Sequence, residues 1–209
     1  MDDIERAATA LRSGDLVVYP TETVYGLGAD ALDERAVERV FDAKRRSREK
    51  PVSLAVPDVA TALEYTRPTE RERRFMREFL PGPVTVLCRK ADAVPDVLTA
   101  GRERVGVRVP DHDLALELLA RVAPITATSA NVSGRESVRR PADLDPEIRD
   151  AAAVVLDGVA GRSSAAHQTP SGGGKAGDTG STVVNVEHGE ILRRGANADA
   201  VEAWLASES

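Results

Sequence analysis

Apolar residues recur along the chain with two different periods. Ile4, Ala7, Ala8 and Leu11 are spaced three and four apart and stop at Ser13-Gly14, which predicts a helix over 3–12. The continuous run Leu16 to Tyr19 reads as a strand, and Val24 to Ala29 as a second. Asp33 is placed to cap a helix over 34–46 whose Val37, Val40 and Phe41 share one face. A strand over 52–56, helices over 58–65 and 69–80, a stop at Pro81-Gly82-Pro83 and a strand over 84–89 follow. Arg104 to Val109 alternates charged and small apolar residues, as a half-buried strand does. The pattern then predicts a helix over 112–122, a strand over 124–128, a short helix near 145–151 and strands over 153–157, 182–187 and 190–194. A helix over 197–206 completes the chain. Interleaved helices and strands predict a layered α+β fold, and the close strand pairs make the sheet mixed rather than purely parallel.

Residues 158–180, GVAGRSSAAHQTPSGGGKAGDTG, break the pattern. The segment is rich in Gly, Ser and Ala, has no apolar period, and is too long for an ordinary connection. It is expected to be a flexible loop, acting either as a lid or as a spacer. The GGGK within it does not make a phosphate loop: Thr169 stands where that motif has its first Gly, and Ala176 replaces the Ser or Thr after Lys175.

Composition narrows the class. A length of 209 residues allows a sizeable core in one domain over 1–209. No apolar run approaches the roughly 18 residues of a membrane span, so no membrane role is expected. The acidic start Met1-Asp2-Asp3-Ile4-Glu5 does not read as a leader, and the single Cys88 permits no intrachain disulfide; both point to a cytoplasmic protein. The net charge of −6 argues against a dedicated nucleic-acid binder but leaves room for a local basic pocket. His112, His167 and His188 are scattered, so no metal site is expected from the protein itself. A magnesium ion arriving with nucleotide phosphates needs few protein ligands.

Four stretches carry candidate chemistry. PTETVYGLG (20–28) crowds hydroxyls and glycines just past a buried strand, as a pocket wall would. KRRSREK (44–50) is either a solvated helix end or a phosphate site. TSANVSG (128–134) is either a polar turn or a rim of small donors and acceptors. STVVNV (181–186) with ILRRG (191–195) reads at least as a hairpin ending in an arginine pair. No covalent nucleophile and no general base stands out.

Together these stretches resemble the threonylcarbamoyl-AMP synthase family, with its YrdC-type domain. The resemblance also covers FLPGPVTVL (79–87), VGVRVPDH (105–112), PITATSANVSG (124–134) and LDG (156–158), in the family's order through nearly the whole chain. It implies a twisted mixed β-sheet flanked by helices, with a positively lined concave face. It also implies synthesis of threonylcarbamoyl-adenylate and pyrophosphate from L-threonine, bicarbonate and ATP. A downstream tRNA threonylcarbamoyl transferase would use the product at adenosine 37, with weak contact to tRNA by this chain. Mg²⁺ would come with the ATP.

The resemblance assigns residues as well. Thr23, Arg108, Ala127, Thr128 and Ser181 are implied around the substrate threonine. Lys44, Arg46, Lys50, Arg104, Ser129, Asn131, Ser137 and Arg193 are implied around ATP, with Lys44 and Arg46 as the catalytic cations. Ala55 and Arg104 lie where some members have other contact residues, and Arg194 where many have proline. Some relatives carry an additional C-terminal domain; this sequence is similar to the short, single-domain form. The rival readings are a non-catalytic RNA-binding module and a carbamoyl-transfer role in hydrogenase maturation.

Overall fold

Asp2, Asp33, Asp58 and Thr69 each accept a backbone N–H at a helix start. They thereby set where α1 (Asp3–Arg12), α2 (Glu34–Lys44), α3 (Val59–Tyr65) and α4 (Glu70–Phe79) begin in the computed structural model. At α4 the cap is reciprocal, since the Glu72 carboxylate accepts the Thr69 N–H at 2.7 Å. Helices α5 (Asp96–Thr99), α6 (Asp113–Arg121), α7 (Pro146–Ala151) and α8 (Ala198–Ser207) follow, with a 3-10 turn at Pro141–Asp143. The structure describes residues 2–158 and 180–208, so the expectation of a lid or spacer over 158–180 falls almost wholly outside the described residues.

The strands are β1 (Leu16–Tyr19), β2 (Gly26–Gly28), β3 (Ser53–Ala55), β4 (Val84–Arg89), β5 (Arg104–Arg108), β6 (Ile125–Ser129), β7 (Ala152–Val155), β8 (Thr182–Asn185) and β9 (Glu190–Arg193). Among the described residues they form one mixed sheet in the order β7-β1-β2-β6-β3-β5-β4-β8-β9. The pairs β1/β7, β3/β5 and β4/β8 are parallel and the others antiparallel.

The two periods of the sequence correspond to two ways of covering this sheet. Strand β1 is covered on both faces. Its Val17 and Tyr19 pack with Ala7 and Leu11 of α1 and Leu118 of α6, while Leu16 and Val18 pack with Val40 of α2 and Ile148 of α7. Its sequence is therefore continuously apolar. Strands β4, β5 and β8 are covered on one face only. Val84, Val86, Val105, Val107 and Val184 enter a core with Phe75 and Met76 of α4 and Val201, Trp204 and Leu205 of α8. The residues between them turn to the other side, which no helix covers among the described residues, and this face carries the candidate site.

Most element positions agree with the sequence reading. Several boundaries differ by one or two residues, among them the strand expected over 182–187, which ends at Asn185. The helix expected over 34–46 ends at Lys44, because Arg45 takes a left-handed conformation with φ 47°. The strand expected over 153–157 runs Ala152–Val155. Only Gly26–Gly28 of the stretch 24–29 pairs as a strand. Helix α5 falls where no element was expected, being too short to show a period.

Candidate active site

Arg104, Gly106 and Arg108 alternate with Val105 and Val107 along β5, so all three share the uncovered face of the sheet. Register places Leu87 opposite Gly106 and Ser53 opposite Ala127. The resulting cavity has a volume of about 430 Å³, and its wall includes Arg46, Ser53, Thr85, Thr128, Ser129, Ser137, Ser181 and Arg193. A Cβ on Gly106 would collide with Ser53 Oγ and lie 2.9 Å from Thr85 Cγ2, so glycine keeps the floor flat.

The turn after β1 supplies one cluster. Arg108 Nη2 donates to Thr23 Oγ1 at 2.8 Å and pairs with Glu22 Oε1 at 2.9 Å. Among the described residues both buried carboxylate oxygens of Glu22 make no hydrogen bond, and the buried Arg108 Nε has no acceptor. Thr21 organises the turn: its hydroxyl donates to Val24 O at 2.5 Å and accepts from Val24 N at 3.3 Å. Tyr19 lies beneath, its hydroxyl donating to Thr126 O at 3.3 Å. Burial pushes the Tyr19 phenol up to about 12, with Glu22 adding to the rise and Arg108 opposing it. A Cβ on Gly26 would stand 2.7 Å from the Tyr19 ring, so the glycines of PTETVYGLG admit this ring.

Arg46 and Arg193 make the second cluster. Arg46 donates from Nε to Lys50 O at 3.0 Å and from Nη2 to Pro51 O at 2.9 Å. Arg193 Nη2 donates to Ser181 O at 2.8 Å and to Ser181 Oγ at 3.1 Å, and Ser181 Oγ shares a 2.9 Å hydrogen bond with Thr85. Burial lowers the Arg46 guanidinium from its ordinary range, and the like charge of Arg193 lowers it further. Two guanidiniums facing one cavity are arranged to accept a polyanion.

Of the thirteen residues implied from the sequence, Arg46, Arg104, Arg108, Ala127, Thr128, Ser129, Ser137, Ser181 and Arg193 line the cavity. Thr23 reaches it through Arg108. The other three lie elsewhere. Lys44 is 2% exposed, and its Nζ donates to the backbone carbonyls of Ser129 and of Asn131, the latter at 2.7 Å. Asn131 donates from Nδ2 to Val132 O and Arg135 O at 3.0 and 2.8 Å. Lys50 is exposed, and its carbonyl rather than its ammonium serves the site by holding Arg46. Arg104 is on the wall, yet its guanidinium pairs with Glu72 and Glu187. Glu22, Ser53, Thr85 and Gly106 were not singled out from the sequence; the alternation of β4 and β5 was the available signal for the last two.

Among the described residues no group of three His, Cys, Asp or Glu side chains could hold a metal, and no helix is long and apolar enough to cross a membrane. The hydroxyl-rich wall offers oxygen donors of the kind magnesium accepts alongside phosphate oxygens.

Comparison with known proteins places the chain in context. Residues 9–195 match the model of the Sua5/YciO/YrdC family, described as "Telomere recombination". The chain is 45% identical over 137 residues to a threonylcarbamoyl-AMP synthase of Pyrococcus abyssi, covering 64% of this chain but only 40% of that protein. It is 32% identical to a threonylcarbamoyl-AMP synthase of Pseudomonas savastanoi pv. phaseolicola over 92% of this chain and 97% of that one. The crystal structure of P. abyssi Sua5 complexed with L-threonine superposes with a TM-score of 0.75 at 34% identity, over 92% of this chain and 54% of the other.

Proposed function

The chain belongs to the Sua5/YciO/YrdC family, and we propose that it is an L-threonylcarbamoyladenylate synthase. It joins L-threonine, bicarbonate and ATP into threonylcarbamoyl-AMP and pyrophosphate. The observation that carries this reading is one cavity with two unlike clusters, Arg108 with Thr23 and Arg46 facing Arg193. The first suits an amino-acid carboxylate, which arginine grips with two parallel donors. The second suits the triphosphate.

In this assignment the threonine ammonium gives up a proton and the resulting amine condenses with bicarbonate, releasing water, to give an N-carboxylate. A carboxylate oxygen then forms a bond to the α-phosphorus while the bond to the bridging oxygen of the β-phosphate breaks, and pyrophosphate leaves. Arg46 and Arg193 oppose the charge on the phosphates, and Ser129 and Ser137 orient them from the facing wall. Ala127, Thr128 and Ser181 border the threonine. Lys44 acts from behind, by fixing the backbone that carries Ser129 and Asn131. Magnesium, held by the phosphates and wall hydroxyls, would supply further charge neutralisation. Catalysis on this account is positioning and electrostatic stabilisation without a covalent intermediate. A cytoplasmic setting, a downstream tRNA threonylcarbamoyl transferase and a weak tRNA contact belong to the same proposal.

The test is pyrophosphate release. It should require ATP, L-threonine and bicarbonate together. Equal turnover without threonine would refute the assignment.

A further inference from the structure

Arg108 and Arg46 present guanidiniums to the same cavity but with different compensation. Arg46 donates to the carbonyls of Lys50 and Pro51, which are neutral, and among the described residues no carboxylate pairs with it. Arg108 has Glu22 against Nη2 at 2.9 Å, with side-chain exposures of 11% for Arg108 and 17% for Glu22. The Glu22 oxygens are shielded from solvent and accept no hydrogen bond among the described residues, so this carboxylate acts as a charge rather than as a hydrogen-bond acceptor.

The hydroxyls nearby are oriented to match. The Thr21 proton goes to Val24 O, so in the 3.1 Å contact between Thr21 and Thr23 it is Thr23 that donates. Thr23 Oγ1 accepts from Arg108 and keeps one lone pair. That lone pair can receive a donor and cannot serve a carboxylate.

A positive group, a negative charge behind it and an oriented acceptor beside it fit a ligand that carries both signs. We propose that Glu22 is the counter-charge that makes the Arg108 cluster select a zwitterionic α-amino acid over a plain anion. Uncompensated, Arg108 would compete with Arg46 and Arg193 for phosphate oxygens and for any small carboxylate. With Glu22 in place the local charge is near zero, the ammonium is attracted, and excess negative charge is disfavoured. Glu22 does this without touching the ligand. The inference rests on assigning the threonine carboxylate to Arg108.

Calorimetry tests it with L-threonine and with 2,3-dihydroxybutanoate of matching stereochemistry, in which a hydroxyl replaces the ammonium. The wild-type protein should bind threonine at least tenfold more tightly than the analogue. Glu22→Gln, equal in shape but uncharged, should shrink that preference at least tenfold, and Glu22→Asp should keep most of it. A parallel loss for both ligands, or an unchanged preference, overturns the proposal. So does equal affinity in the wild-type protein, a comparison that needs no variant to fold. Arg108→Ala separates the two layers. If it still binds threonine, the site assignment itself fails; if it does not while Glu22→Gln keeps its preference, only the role of Glu22 fails.

Discussion

The Lys44 ammonium lies 2.7 Å from the Asn131 carbonyl and also donates to the carbonyl of Ser129, joining the end of α2 to the loop after β6. Lys44 O returns the contact by accepting from Ser133 N at 2.8 Å. Lys44→Met would strand buried carbonyls, at a cost of roughly 2–4 kcal/mol in unfolding free energy. Urea denaturation should show that loss together with weaker ATP binding. Intact stability with ATP binding abolished would instead put the ammonium on the phosphates.

Arg46→Ala and Arg108→Ala should fail differently. Each removes a charge-assisted contact worth roughly 2–5 kcal/mol where the ligand group is desolvated. Calorimetry should find ATP affinity reduced and threonine affinity largely kept in the first, and the reverse in the second. Identical profiles would contradict the two-cluster map.

Gly106→Ala should be destabilising by about 1–3 kcal/mol, the usual range for overpacking. The added methyl meets Ser53 Oγ, so Ser53→Gly in the same chain should recover part of the loss. Thermal melts of the two single variants and the double variant decide whether the contact is the cause.

His112 gives a pH prediction. Burial pushes its imidazole below the ordinary 6.5, with Glu22, Asp113 and Asp111 pulling weakly the other way. Below pH 6.5 the unfolded chain takes up a proton that the folded chain resists, so stability present above that pH is lost as pH falls towards the folded value. His112→Gln removes this dependence. The difference in urea midpoint between the two proteins should be constant above about pH 7.5 and move in favour of the variant as pH falls below the histidine range.

The local parts of this fold were legible in the residues. Asp33 ahead of Val37, Val40 and Phe41 announces α2, and the alternation of RVGVR announces a strand with one bare face. The motifs PTET, KxR and SxN each contribute a residue to the cavity wall: Thr21, Arg46 and Ser129. What stayed hidden depends on partners distant in sequence. Lys44 reads as a helix-end cation, solvated or on phosphates, until Ser129 and Asn131 arrive 85 and 87 residues later to bury it. Glu22 reads as one polar letter in a turn until Arg108 comes alongside. Gly106 reads as a weak strand residue until Ser53 and Thr85 flank it.

Because β5 writes folding and recognition in alternate letters, its two messages tolerate very different errors. Exchange of one letter changes one message: Arg108 can vary while Val105 and Val107 still fill the core. Loss or gain of a single residue within the strand would swap the two, turning guanidiniums inward and valines to the cavity. Variation among descendants of this strand is thus expected to accumulate by replacement, with length held constant between Arg104 and Arg108.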